Sequence, residues 1–585
     1  MLESFYLHSR AERPPLRVGL LVDSLTFPAW IASIIQHLRA SDFARLELVV
    51  LNAEAQRPET GAGKRACWLV RLARHLSKPR RRRVLLYNLY TRWDEARHSR
   101  TLVSNPFRPM DGAALLEGVE TVTLRPVRKG FTDRFTDEQV RLIRERQLDV
   151  ILRFGFNIIR GEILKAARCG VWSYHHGDND YYRGGPPHYW ELAENNPVSG
   201  VLLQVLNEEL DGGLVLAKAL LATEAGWSVL RNREHPYWTG TWLVIRKLHE
   251  LHQYGWEHVR AQARASGPAA GRRKLYRTPT NWEMVRFLAP RLLKRLPARL
   301  LRRPRTAHWR IALRTNPQRF LSAERPPDMR GFRWVCPPQG HFYADPFPCA
   351  HAGRTWLFFE DFSYAEDRGV IACSEILPDG GLSPAREVLR RPYHLSYPQV
   401  FEHAGQFYMI PESGERKAVE LYRATAFPWE WRLERVLFSG ARVLDPTLWI
   451  EEGRFWFFVT LVDPPGAGTE LFLFYADSLE GSWNYHPANP ISSDERRCRG
   501  AGAIFRDQGR RIRPSQDVTR GYGYSFAWNE ILRLNPAEYE ERPLLEVLPD
   551  WAAGLAGTHT YNRTARVEVV DGNFPRPRGA VVNKV

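Results

Sequence analysis

The chain has 585 residues, 44% hydrophobic and 25% charged, a globular composition that excludes disorder as its main state. No run approaches the roughly 18 apolar residues of a membrane span, Met1 to Pro15 lacks the apolar core of a signal peptide, and six cysteines without C-x-x-C spacing exclude a disulfide scaffold or zinc ribbon, so a reducing cytoplasm is the expected compartment. The net charge of +18 (83 Lys and Arg against 65 Asp and Glu) is local, concentrated in Lys78–Arg83 and Arg291–Arg305, and argues against nucleic acid as the partner.

The first half alternates strand and helix patterns. Leu16–Val22 is an apolar strand ending at Asp23-Ser24, and Trp30, Ile31, Ile34, Ile35 and Leu38 follow at helical spacing. Leu46–Leu51 predicts a second strand, Glu138 onward a helix, and Asp149–Phe154 another strand. This alternation predicts a mostly parallel, doubly wound α/β sheet. Gly61-Ala-Gly-Lys64 is no P-loop, because Arg65 stands where Ser or Thr is needed. Residues 266–335 are expected to link an α/β domain at 1–265 to a second domain at 336–585. Their basic stretch Met284–Arg303 is amphipathic and contains Pro290 and Pro297, expected to break a helix. Its leucines can pack on either domain. The other reading is peripheral contact with an anionic membrane at its inner face.

The second half changes period. Trp356–Glu360, Phe407–Glu412, Phe455–Val459 and Leu471–Tyr475 predict short aromatic strands, and turn pairs Ala352-Gly353, Ala404-Gly405 and Glu452-Gly453 precede strands. Asp345, Tyr397, Asp445, Ala501 and His559 recur at intervals of 52, 48, 56 and 58 residues (differences of position). A period near 50 with several strands per unit predicts a five-bladed, all-β propeller.

Two constellations carry chemistry. In Gly170–Pro187 a strand end places His175 at the lip of the sheet, and Asp211 follows a later apolar strand. A histidine oriented by a carboxylate is the minimal unit for proton transfer near neutral pH. A metal site from His175, His176, Asp178 and Asp180 is disfavoured, since adjacent side chains on a strand point oppositely. Phe154-Gly155, Ser173-Tyr-His175, Arg183-Gly184 and Leu210-Asp-Gly212-Gly213 together resemble the formyltransferase family of methionyl-tRNA, phosphoribosylglycinamide and sugar N-formyltransferases over about residues 16–225. The His-to-Asp separation, 211 − 175 = 36, agrees with that family. The resemblance implies a Rossmann-like fold and 10-formyltetrahydrofolate as formyl donor to an amine. It implies His175 and Asp211 as catalytic residues and Phe154, Gly155, Arg183, Gly184 and Gly212 at the cofactor. The family's oxyanion-binding Asn is replaced here by Ser173, which has a shorter arm.

In the second half Asp345, Glu360, Glu412, Asp445, Asp517 and His559 stand at comparable places in successive blades and are expected to converge on the axis as a glycan site. The runs Ala344-Asp345-Pro-Phe, Ser396-Tyr-Pro, Pro411-Glu412-Ser and Arg513-Pro-Ser-Gln-Asp517 resemble family 43 and 32 glycoside hydrolase propellers. They resemble still more the propeller domain of plant glucosamine inositolphosphorylceramide transferases. By that analogy Asp345 is a base, Asp445 an orienting carboxylate and Glu412 an acid. A simpler reading is that Asp-Pro only caps turns. The joint expectation is formyl transfer to an amino-sugar nucleotide or lipid-linked glycan in surface-glycan synthesis, with a propeller that binds glycan. The alternatives are a propeller-catalysed glycoside hydrolase or glycosyltransferase, and a non-enzymatic glycan-binding protein.

Overall fold

The computed structural model describes residues 2–55, 82–265, 274–301, 305–462 and 468–577. Gly61–Lys64 and Lys78–Arg81 lie outside these residues. The chain divides into two compact units, 1–298 with 464–468, and 299–463 with 469–585.

The first unit is built on an eight-stranded sheet. Its strands are β1 (Leu16–Val22), β2 (Ala44–Asn52), β3 (Glu120–Leu124), β4 (Val150–Arg153), β5 (Val171–His175), β6 (Val198–Val205), β7 (Leu214–Ala222) and β8 (Arg264–Ala265). Their order is β8-β7-β6-β5-β4-β1-β2-β3. The five strands β5-β4-β1-β2-β3 are mutually parallel, and β6, β7 and β8 add antiparallel. The chain runs outward from β1 through β2 to β3 and then returns to β4 on the other side of β1. This reversal opens a crevice at the carboxyl ends, where such sheets bind ligands. Val18, Leu20, Leu48, Val50, Ile151 and Val171 are fully or nearly fully buried, as expected for parallel strands covered on both faces. Helix α1 (Asp137–Arg144) begins with a capping box, Thr136 accepting from the Gln139 N–H and Gln139 from the Thr136 N–H. Its Val140 and Ile143 enter the core beside Leu48, Val50 and Ile151. The long helix α2 (Val229–Tyr254) lies against the opposite face, where Tyr174 Oη donates to the Gly240 carbonyl at 2.6 Å.

The stretch expected as a linker is divided between the units. Helix α3 (Asn281–Leu301) runs through both Pro290 and Pro297 without a break, contrary to the sequence expectation. A proline in a helix costs about 3 kcal/mol. Here that cost is opposed by burial of Met284 and Phe287 against Tyr87, Tyr90, Tyr189 and Trp190, and by Arg291 Nη2 donating to the Leu192 carbonyl at 2.6 Å. Among the described residues no helix is long and apolar enough to cross a membrane. Trp309–Arg314, also inside the expected linker, is a strand of the second unit.

The second unit has five antiparallel, four-stranded sheets, one per blade, the fourth carrying an additional short strand, Phe505–Asp507. The innermost strands of the first three are His341–His351, Ser396–His403 and Val443–Glu451. Each is interrupted at the same place, at Asp345-Pro346, Tyr397-Pro398 and Asp445-Pro446, where the register shifts. Asp345, Tyr397 and Asp445 take φ of 50°, 47° and 46° there. The bulge lifts each residue out of the pairing pattern. The turn pairs are two-residue hairpin loops with positive φ at both residues, the geometry whose twist suits a hairpin. Gln508-Gly509 is a fourth such pair, in the fourth blade. The fifth blade joins the two ends of the unit. Trp309–Arg314 pairs antiparallel with Glu568–Asn573, which also pairs with Tyr561–Arg563, so the ring is closed by a strand that precedes the first blade.

Candidate functional site

In β5 the side chains alternate. Tyr174 faces α2, so Ser173 and His175 face the other side of the sheet at its carboxyl edge. Asp211 follows β6 in a turn with φ of 56°, immediately before Gly212-Gly213. The His175 Nδ1 and Asp211 Oδ1 atoms are 3.4 Å apart, with side-chain exposures of 8% and 12%. His175 Nε2 is 2.8 Å from the Tyr182 carbonyl oxygen, and Asp211 Oδ2 accepts from the Gly184 N–H at 3.1 Å. Arg183 Nη2 donates to the Leu210 carbonyl at 2.7 Å. The two loops that carry the family-like motifs are thus stitched together around the pair. Burial opposes charge on His175, but the Asp211 carboxylate outweighs it and moves the imidazole above its ordinary pKa. Asp211 moves below the usual carboxylate range: burial acts against this, and His175 and the Gly184 N–H overcome it.

A cavity of about 140 Å³ lies beside the pair, lined by Arg153, Ser173, Gln204, Asn207 and Asp211 among others. His175 is not in its wall and stands behind Asp211. Ser173 is buried, and its Oγ accepts from Arg153 Nη1 at 2.9 Å. The five residues expected at the cofactor lie at the strand ends and loops around this edge of the sheet. A Cβ on Gly155 would meet the Asp23 nitrogen at 2.4 Å, so this glycine lets β4 end directly against β1. Gly184 (φ 84°) packs on the Tyr276 carbonyl, Gly212 on the Glu209 side chain, and Phe154 lies edge-on to Trp30. Arg183 serves Leu210, as above. Asp178 and Asp180 hold the Lys218 ammonium, and His176 is stacked on Tyr237 and pushed down to about 3 by burial.

The acidic residues of the propeller form two linked groups. In the first, His559 Nδ1 is 2.7 Å from Asp571 Oδ2 and His559 Nε2 is 3.5 Å from Asp345 Oδ1. Tyr522 Oη lies 3.2 Å from His559 Nε2. Asp345 also accepts from Thr560 Oγ1 at 2.7 Å and from the Tyr397 N–H at 3.2 Å. In the second, Arg499 clamps Asp445 through Nε and Nη2 at 2.7 and 3.0 Å, and Glu412 accepts from the Asp445 N–H at 2.9 Å. The Arg499 guanidinium lies over the Tyr522 ring at 5.0 Å, which joins the groups. Burial, reinforced by Asp345, holds Glu360 well above the usual carboxylate range, and His394 Nε2 is 3.4 Å from it. Asp517 is not brought into this centre by any contact among the described residues. Its carboxylate accepts from the Thr519 N–H and hydroxyl at 2.8 and 2.6 Å, because it sits at a strand end where it closes a local turn. Arg499, Tyr522 and Asp571 escaped the sequence reading. Only Asp571, which directly follows the apolar pair Val569-Val570, offered a signal.

Burial first, then the Asp445 carboxylate, pushes Glu412 up to about 8. A carboxyl raised in the folded state stabilises fully below its unfolded value near 4.5, and that contribution is lost as pH rises through the folded value near 8. Wild-type propeller stability is expected to fall relative to Glu412→Gln by on the order of 5 kcal/mol across that window. Urea midpoints of both proteins at the two ends of the window check this, and parallel pH profiles would refute it.

Residues 336–568 match the family model described as glucosamine inositolphosphorylceramide transferase 1, N-terminal. The protein of that name from Oryza sativa subsp. japonica is 34% identical over 209 residues, 35% of this chain but only 28% of that relative's length. Among solved structures, the chain is similar to glycinamide ribonucleotide transformylase 1 from Symbiobacterium toebii, at 12% identity and a TM-score of 0.28, covering 41% of this chain and 89% of that one. It is also similar to an exo-β-1,3-galactanase from Clostridium thermocellum, at 16% identity and a TM-score of 0.30, covering 36% and 53%. Strand order and register, rather than these values, define the two folds.

Proposed function

We propose that the α/β unit transfers a formyl group from 10-formyltetrahydrofolate to an amino group of a nucleotide- or lipid-linked sugar, and that the propeller binds the glycan. The carrying observation is the contact of His175 with Asp211 at the carboxyl edge of the sheet, beside a cavity whose mixed wall includes Arg153, Ser173 and Gln204. That cavity suits a formyl group and the atoms next to it: a whole folate needs a site of about 300 Å³ or more. The donor supplies an activated one-carbon carbonyl. Asp211, Ser173, Gln204 and Arg153 surround the space that carbonyl would occupy. His175 and Asp211 hold one proton between them. The amine nitrogen forms a bond to the formyl carbon, and the bond from that carbon to the donor nitrogen breaks. The pair gives its proton to the departing nitrogen and is refilled by the proton the amine loses, so the transfer is balanced. The name of the relatives, which speaks of glucosamine, supports a sugar as acceptor.

A coupled assay tests this. Purified protein, 10-formyltetrahydrofolate and a panel of amino-sugar nucleotides should release tetrahydrofolate, and His175→Gln should not. No release by wild type with any acceptor, or equal release by the variant, contradicts the proposal. A second reading, glycosidic cleavage at the propeller, is favoured by Glu412 being raised to about 8 beside the Asp445–Arg499 pair. It differs in one respect: it requires the Glu412 proton, whereas formyl transfer survives Glu412→Gln.

A further inference from the structure

Ser173 leaves the proposed reaction short of a donor, and the strand next to it holds a replacement. In the antiparallel pairing of β5 with β6, Ser173 stands directly opposite Gln204. Residues so paired point to the same face with Cβ atoms about 5 Å apart. Both line the 140 Å³ cavity together with Arg153 and Asp211. Gln204 is 3% exposed, yet its Oε1 has no hydrogen-bond partner. A buried, unpaired carboxamide oxygen is costly and marks a place where a ligand completes the bonding. A Cβ on Gly213 would come within 3.0 Å of that Oε1, so the glycine leaves the amide its room.

Arg153 stands on the other side of Ser173. Its Nη2 donates to the carbonyls of Asn157 at 2.8 Å and Phe156 at 3.3 Å, its Nε to Asn157 at 3.2 Å, and its Nη1 to Ser173 Oγ at 2.9 Å. The guanidinium is therefore fixed, half-buried, with its charge at the cavity wall. A half-turn of the Gln204 carboxamide exchanges its acceptor for an N–H donor at little cost. From these positions we infer that Gln204, backed by the Arg153 cation, is the group that holds the carbonyl oxygen as it takes up negative charge. A longer side chain on β6 would thus do what the short Ser173 on β5 cannot. This rests on the formyl-transfer reading.

In the full chain, Gln204→Ala should lower kcat about 10²-fold while leaving KM for the formyl donor nearly unchanged, as expected for a donor used in the transition state. Adding Ser173→Asn to Gln204→Ala should restore most of the loss by returning a carboxamide from the facing strand. Wild-type kcat in Gln204→Ala, or no recovery in a double variant that melts like wild type, overturns the inference while leaving the reaction in place. Should wild type transfer no formyl group, the reaction reading fails by itself, and formate titration of the same proteins decides on the pocket. Saturable formate binding that weakens about tenfold in Gln204→Ala upholds the role of Gln204, and equal affinities overturn it.

Discussion

Asp211→Asn is expected to lower the formyl-transfer rate about 10²- to 10³-fold, the range set by loss of general acid–base function. The substitution keeps the size of the side chain and an oxygen for the Gly184 N–H, so the loop geometry persists. What goes is the charge facing His175. In wild type that carboxylate outweighs burial and raises the imidazole pKa. Without it only the Tyr182 carbonyl and Glu191 oppose burial, and the imidazole pKa falls. The pair then holds its proton more weakly and supplies less of it to the departing nitrogen. The raised value also makes the pair's contribution to stability present below about pH 6.5 and lost as pH rises through the folded value. Asp211→Asn should lack that dependence. Rates at saturating donor, with melting curves of the same samples, separate chemistry from folding.

Glu568→Gln is expected to destabilise the propeller by about 3–5 kcal/mol, the cost of leaving a buried cation without its partner. Arg314 lies on the strand that closes the ring and donates to Glu568 through Nε at 2.9 Å and also through Nη2, with side-chain exposures of 2% and 0%. Glu568 accepts as well from the Leu321 N–H and the Tyr561 hydroxyl, both at 2.6 Å. One carboxylate thus ties the segment before the first blade to two strands of the last. The melting temperature of the propeller transition should drop by about 10 °C or more. Replacing both partners by Arg314→Met and Glu568→Leu should recover much of the loss, because an apolar pair leaves no charge unpaired. A single variant that melts like wild type would contradict this account of closure.

What was legible in the sequence follows what is local. The Asp-Pro and Tyr-Pro marks fixed the inner strands because each bulge is made by its own residues. The Ala-Gly and Glu-Gly pairs fixed hairpins because a two-residue loop needs positive φ. His175 and Asp211 were found through motif spacing, and their contact through the fold. The fifth blade was counted from its His559 mark, but the strand that closes it was hidden in the expected linker, since it pairs Ile311 with Asp571, positions at opposite ends of the unit. Gln204 was hidden for a related reason. It meets Ser173 only through register, and its one signal was a lone polar side chain in the apolar run Val201–Val205. Helix α3 ran through its prolines because tertiary packing of Met284 and Phe287 opposed a local rule. The local turn that Asp517 closes with Thr519 was not legible either, because a carboxylate at a strand end can bond its own turn or face an axis with the same motif around it.

The most direct measurement is a ¹⁵N titration of the His175 imidazole in wild type and Asp211→Asn. The account predicts an imidazolium in wild type that persists above the ordinary histidine value, and a ring that titrates at a lower pH in the variant. A wild-type ring that titrates at or below that value, or the same curve in both proteins, would contradict it.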